Sequence, residues 1–381
     1  MTATNCCGVD PLTGNAIVIT FDNRILQAAP APAPPGVYLA PGFIDLQVNG
    51  FTAVDYNHPE APLDAIARSI RALHSTGVVR FYPTVITGAP ADMEACLRNL
   101  ARAADSLPEG PAIAGFHVEG PHISPEDGPR GAHPRRWVRP PDLDEFRRWQ
   151  DATANRVRIV TLSPEWPSAP HYIEHIVAEG VVAAIGHTQA TAAQIAAAVS
   201  AGATLSTHLG NGAHSVLRRH PNYIWDQLAE DRLWADFIVD GIHLDAAFLK
   251  VALRAKTLHR AVLITDAVAP AGAPPGRYRI GEQEVDLNAE GRVVLAGQDR
   301  LAGSALHMHR GIANLIRLAG LSLADAVRLA TVNPARAGAV PLAGTALVPG
   351  APADLVQFRY DPTPPRLEII STWRDGSQVF P

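Results

Sequence analysis

From Val37 the chain alternates short runs of β-branched, aliphatic and aromatic residues with longer segments of helical spacing. The apolar runs are Val37–Val48, Val78–Ile86, Ala112–Val118, Val157–Leu162, Val181–Ile185, Ala203–Thr207, Trp234–Val239 and Ala261–Thr265. Between most of them lie helical segments, Pro62–Ser75, Ala91–Ser106, Pro141–Asp151, His171–Glu179, Thr191–Ala201 and Asp245–Leu258, several opening with Pro or Asp near the first turn. Strand and helix in eightfold alternation predict an α/β fold, a closed parallel (β/α)8 TIM barrel over residues 40–340. A doubly wound open sheet is the alternative. It usually announces itself by a Gly-x-Gly-x-x-Gly phosphate turn, and the chain has none.

The two ends of the chain break this rhythm. Asn15–Phe21 is a short β-rich run, and Ala29–Gly36 alternates Ala with Pro, which removes amide donors and suits an extended connector. From Pro341 short apolar runs are punctuated by Gly, Pro and Asp-Gly, as in Gly344–Phe358. Both ends therefore read as β structure, expected to pair as a small β-sandwich domain built from residues 1–39 and 341–381.

Composition narrows the function. Of 381 residues 47% are hydrophobic and 18% charged, enough for a large buried core and unlike a disordered chain. The formal charge of -5 offers no basic field to recruit nucleic acid or anionic lipid, so an anionic ligand needs a local site and the expected partner is a small molecule. Cys6, Cys7 and Cys96 do not make a disulfide framework. No basic stretch leads into an apolar run at the start, and no apolar segment nears the roughly 20 residues of a membrane span. A cytoplasmic, soluble protein without a membrane partner is expected.

Polar residues cluster where the predicted strands end: Asp45, Gln47 and Asn49 after the first, His117 and Glu119 after the third, His187 and His208 after the fifth and sixth, Asp240 and His243 after the seventh, Asp266 after the eighth. In a parallel barrel these carboxyl ends converge on one face, where active sites of that fold lie. Imidazoles with a carboxylate suit zinc or ferrous iron, and fewer than four protein ligands leave a position for water. A histidine at a strand end is more often structural than ligating, and among 15 histidines His58, His74, His171, His175 and His259 belong to that background. His187 and His208 stand apart because each directly follows a strand. Glu119 closes an apolar run, where an unpaired carboxylate is costly to desolvate and a cation offsets the cost. Asp266 reads as a turn-forming Asp or, beside a metal, as a general base.

The runs Ala40–Gly50 (APGFIDLQVNG), Phe81–Thr87, Gly115–Pro134 (GFHVEGPHISPEDGPRGAHP), Val160–Glu165, Ala184–Thr191, Thr207–Asn211, Asp240–Asp245, Leu263–Gly272 and Leu301–Ser304 carry a resemblance. In combination the chain resembles the N-acetylglucosamine-6-phosphate deacetylases of the amidohydrolase superfamily, from about Ala40 onward. The resemblance implies Glu119, His187 and His208 as metal ligands, Asp266 as the acid/base, and His133 as the group polarising the scissile carbonyl. It implies Ala132, Asn211, Gly212, Arg219 and His243 around the sugar phosphate, with Leu301, Ala302 and Gly303 as a loop over the sugar. It further implies a homodimer in which Arg219 reaches the neighbouring subunit's site.

Two departures matter. Many superfamily members carry His-x-His after the first strand and bind two metals. Here Gln47 and Asn49 stand there as a vestigial second position, so one divalent ion per chain is expected, zinc first with Fe2+, Co2+ or Mn2+ as alternatives. Around Gly212 the sequence Leu-Gly-Asn-Gly-Ala-His replaces bulkier residues. His122 is an extra imidazole near Glu119, read as a packing residue. The implied reaction is hydrolytic deacetylation of N-acetylglucosamine 6-phosphate in amino-sugar catabolism. The alternatives are another N-acetylated sugar phosphate, such as the galactosamine epimer, and a non-catalytic sugar-phosphate-binding barrel.

Overall fold

Gly42 divides the first apolar run. A Cβ there would stand 2.3 Å from Val79 Cγ1, so only glycine lets the chain pass this close to the neighbouring strand. Val37–Val48, expected as one strand, is therefore two, Val37–Pro41 and Phe43–Val48, and they belong to different sheets. The computed structural model describes residues 3–381.

Phe43–Val48 is β1 of an eight-stranded sheet continued by β2 (Val78–Ile86), β3 (Phe116–Glu119), β4 (Val157–Leu162), β5 (Val182–Ile185), β6 (Leu205–Ser206), β7 (Trp234–Ile238) and β8 (Ala261–Ile264). Strands adjacent in sequence are adjacent in space and every pair is parallel. A parallel bridge from Val48 to Ala267, with the Asn49 N–H donating to the Ala267 carbonyl at 2.7 Å, brings β1 against the segment after β8 and curls the sheet into a (β/α)8 barrel. The strands are covered on both faces, which is why they read as apolar runs without alternation. Ile44, Leu46, Ile159, Leu205, Ile238 and Ile264 fill the interior.

Helix starts follow their caps. Asp142 accepts from the Asp144 and Glu145 amides, Thr191 forms a capping box with Gln194, and Asp245 accepts from the Phe248 amide. The helices Tyr223–Ala229, Met308–Asn314, Leu323–Arg328 and Val332–Ala337 lie outside the segments expected from the pattern. All are of six or seven residues, too short for periodicity to show.

Where the sequence suggests a small sandwich, the terminal segments share one seven-stranded sheet. Thr4–Val9, Ala16–Phe21, Ile25–Pro30 and Val37–Pro41 join Leu355–Pro362, Pro365–Arg374 and Ser377–Phe380 around a core that includes Ile19, Phe21, Leu355 and Trp373. Pro30 ends the strand at one margin of that sheet, the place where a residue without an amide donor is tolerated. An antiparallel three-stranded sheet, Gly276–Ile280, Gln283–Leu287 and Val293–Leu295, follows β8 and packs Ile280, Val285 and Leu295 against Val268 and Ala302. Among the described residues no helix is long and apolar enough to cross a membrane.

Candidate active site

A cleft of about 930 Å³ opens at the carboxyl ends of the barrel strands, the face on which sites of this fold are built. Of the residues singled out from the sequence, Asn49, Glu119, Ala132, His133, His187, His208, Asn211, Gly212, His243, Asp266, Leu301, Ala302 and Gly303 line it. Gln47 lies behind Asp266, within its hydrogen-bonding shell. Arg219 does not line the cleft of its own chain; it is exposed on the loop after β6. His122 packs against the rings of Trp149 and Tyr172, away from the cleft.

Glu119 is the last residue of β3. His187, His208 and Asp266 each stand two residues beyond their strand, and all three have left-handed backbone, with φ of 50°, 31° and 50°. For non-glycine residues such a conformation costs of order 1–3 kcal/mol and persists where the surroundings enforce it. The enforcement is visible. The Asp236 carboxylate accepts the His208 amide, its carbonyl accepts the Leu209 amide at 3.0 Å, and the Asp266 carbonyl accepts the Ser304 amide at 3.0 Å.

His187 Nε2 and His208 Nε2 lie 3.1 and 2.8 Å from Glu119 Oε1 and 3.1 Å from each other. His187 Nδ1 is 2.8 Å from the Pro129 carbonyl, which only accepts, so the ring proton sits on Nδ1 and the Nε2 lone pair faces the carboxylate. Three electron-rich atoms so close need a cation among them. The spacing fits one: bonds of about 2.0–2.2 Å to a tetrahedral ion place its ligand atoms about 3.3 Å apart. His133 also has a ring nitrogen within 4.8 Å of the Glu119 and His187 ligand atoms, making a three-residue cluster able to hold a metal. His208 is the better third ligand because its Nε2 is far closer and because His133 Nδ1 is engaged 2.8 Å from Thr87 Oγ1.

Burial raises the Glu119 carboxyl, but wherever a proton takes the cation's place on the Nε2 atoms, the hydrogen bonds and charges of His187 and His208 together hold it well below its usual value. Asp266 moves the other way. Burial, then the negative charge of Glu119, push it up to about 7, against the opposing pull of His208 and the Asn49 amide. Asn49 Nδ2 and Gln47 Nε2 both donate to Asp266 Oδ1, at 2.7 and 3.0 Å, and Oδ2 has no hydrogen-bond partner among the described residues. Burial and the nearby His187 push His133 down to about 3, so its ring is neutral at neutral pH. The arrangement can hold a cation, keep one carboxylate oxygen ready to take a proton, and present a neutral imidazole beside both.

Sequence reasoning misses three groups here. Thr87, Pro129 and Asp236 orient His133, His187 and His208 without touching the cleft centre, and only the buried Asp in an apolar strand hinted at the last. Gln283, Arg292 and Arg300 come from the three-stranded insertion and its exit and form one wall. His214 lines the cleft with its Nδ1 3.0 Å from the Tyr223 hydroxyl.

Residues 38–379 match the amidohydrolase family. The N-acetylglucosamine-6-phosphate deacetylase of Bacillus subtilis (strain 168) is 33% identical over 91% of this chain and 86% of its own length. The N-acetylgalactosamine-6-phosphate deacetylase of Escherichia coli O157:H7 is 32% identical over 84% and 82%. Among solved structures, a variant of the Mycobacterium smegmatis N-acetyl-D-glucosamine-6-phosphate deacetylase in complex with N-acetyl-D-glucosamine 6-phosphate superimposes with a TM-score of 0.89, at 32% identity and with 100% of both chains covered. By fold, by the family match and by these relatives, the chain belongs to the amidohydrolase family, in the group of the N-acetylglucosamine-6-phosphate deacetylases.

Proposed function

We infer that the chain hydrolyses the acetamide of N-acetylglucosamine 6-phosphate to glucosamine 6-phosphate and acetate. The observation that carries this reading is Asp266, held by two amides on Oδ1 with Oδ2 unpartnered, beside a donor set that fits a cation. A divalent ion held by Glu119, His187 and His208, zinc by the preference of those donors, supplies charge that acidifies water toward neutral pH and polarises the acetyl carbonyl. Asp266 takes the proton of the attacking water on Oδ2, with Asn49 and Gln47 keeping its carboxylate in one orientation. His133, neutral and anchored on Thr87, donates to the oxygen that gains charge as the carbonyl becomes tetrahedral. Asp266 then returns its proton to the leaving nitrogen, because an amide anion is too basic to depart.

The sugar phosphate is assigned to Ala132, Asn211, Gly212 and His243 on one side and the Leu301–Gly303 loop on the other. His243 is oriented by Asp240, whose Oδ2 lies 2.7 Å from its Nδ1. Arg219 serves a neighbouring subunit in a homodimer. The same loop presents Val216 at 86% exposure, and the following helix presents Trp225 at 47%, apolar surface that a second copy would cover.

The galactosamine epimer is the second reading, favoured by the 32% identity to the Escherichia coli enzyme. Acetate release from both phosphorylated epimers by the metal-loaded protein tests the assignment. Faster turnover of the glucosamine compound is expected, and absence of turnover on either would leave a binding protein only.

A further inference from the structure

A second cleft of about 630 Å³ lies between helix Met308–Asn314, the following Leu315–Ala319 turn and the strand Pro365–Arg374. It brings together Arg310, Arg317 and Arg366 from these three segments. No ion pair among the described residues involves any of them. Arg317 reaches only the neutral amide of Asn314, at 2.9 Å. The acids of the same lining are Asp240, paired with His243, Glu368, 3.6 Å from Arg359, and Glu290. All three arginines line this one cleft. His309 between them is held down to about 3 by burial, and the charges of Arg310 and Arg366 add to that.

The rest of the lining narrows the ligand. Leu306, Leu367 and Ile369 give an apolar floor on which the face of a sugar ring can rest, and Glu290 and Glu368 offer acceptors for hydroxyl groups while repelling a polyanion. Inorganic phosphate alone is far smaller than the space. We propose that this cleft is a second binding site for a phosphorylated sugar, separate from the catalytic cleft. Arginine forks engage phosphate oxygens in pairs, and arginines that carry no ion pair, brought to one cleft from three segments, are the groups to supply such forks.

Neighbouring residues along the chain line the two clefts. Asp240 and Ile242 line the second, and Asp240 orients His243 in the first. Glu290 and Gly291 line the second while Arg292 lines the first.

The test is equilibrium dialysis of the metal-loaded, full-length protein with glucosamine 6-phosphate, compared with the Arg310→Ala/Arg366→Ala double variant. Both arginines are exposed, and a thermal melt verifies folding of the variant. Two equivalents per chain in the parent and one in the variant are expected, with kcat/KM of the variant, read at low substrate, unchanged. One equivalent in the parent and none in the variant also supports the site, and acetate release from N-acetylglucosamine 6-phosphate then decides separately whether the catalytic cleft is a deacetylase. Equal stoichiometry in parent and variant, whether one or two, overturns it. Inorganic phosphate should bind the same site at least about tenfold more weakly. Equal binding of phosphate and sugar phosphate would overturn the sugar specificity.

Discussion

Asn49 and Asp266 meet across the seam of the barrel: the amide that follows the first strand donates to Oδ1 of the carboxylate that follows the last, at 2.7 Å. Gln47 Nε2 donates to the same oxygen at 3.0 Å, so two amides fix the orientation of this carboxylate. Replacing Asp266 by Asn should lower kcat by at least about a thousandfold, since both proton transfers are lost, while metal content stays at the parent level. Stopped assays of acetate release with elemental analysis of the same samples decide it, and near-normal turnover would assign the base elsewhere.

Burial and the charge of Glu119 push Asp266 up to about 7 in the metal-free chain. A raised folded value means the folded chain binds this proton more tightly than the unfolded chain. The resulting stabilisation is present at low pH and is lost as pH rises through about 7. A dication beside the carboxylate favours its charged form. The acid limb of kcat/KM for the loaded enzyme should therefore lie below the metal-free titration, and it should vanish from the residual activity of the Asp266→Asn variant. An acid limb unchanged in that variant would exclude Asp266 as its source.

Elemental analysis should find one tightly held divalent ion per chain, because the amide oxygens of Gln47 and Asn49 are weak zinc ligands. Removing one anchor, as in Glu119→Gln, should raise the ion's dissociation constant by at least about a hundredfold, measured by competition with a chromogenic chelator. Two tightly held ions per chain would contradict the expectation.

Arg219→Ala should lower kcat/KM for the phosphorylated substrate by about 30- to 1000-fold, from one Arg–phosphate fork of roughly 2–4 kcal/mol. Slow hydrolysis of unphosphorylated N-acetylglucosamine should hardly change. Mixing Arg219→Ala chains with Asp266→Asn chains should restore part of the activity if the arginine acts across the dimer. Equal losses on both substrates would make Arg219 structural.

The barrel was legible because strands buried on both faces leave uninterrupted apolar runs, and the site because Glu119, His187, His208 and Asp266 sit at or just past the ends of those runs. The split at Gly42 was not, since a close approach to Val79 leaves no mark in hydropathy. The three-stranded insertion was missed because Gly276–Ile280 is mostly exposed and polar. Its available signal was Gly281, which opens the two-residue loop between the paired Ile280 and Gln283 with φ of 55°. Arg219 illustrates a different gap: the resemblance implies a role across a dimer, and in the single chain the residue is exposed and outside its own cleft.

Gly376 gives a stability test that touches no functional group. Its φ is 76°, and a Cβ would lie 1.6 Å from the Asp22 carbonyl oxygen, so Gly376→Ala should destabilise the fold by about 3 kcal/mol or more. Gly180, with φ of 78° and open space around it, is the control, and its alanine variant should cost about 1 kcal/mol. Denaturant midpoints of the two variants should differ accordingly, and equal midpoints would contradict the packing at Gly376.

The pairing of Val37–Pro41 with Leu355–Pro362, from Pro41 opposite Leu355 to Val37 opposite Arg359, fixes an order of events during synthesis. The ribosome delivers all eight barrel strands before the partner of that strand exists. Throughout translation of the barrel an open strand edge, carrying the apolar Leu39 and followed by Phe43, waits beside it, and such edges template aggregation. The nascent chain is thus most in need of chaperone cover late in its own production, and a stop before Leu355 would leave that edge permanently bare.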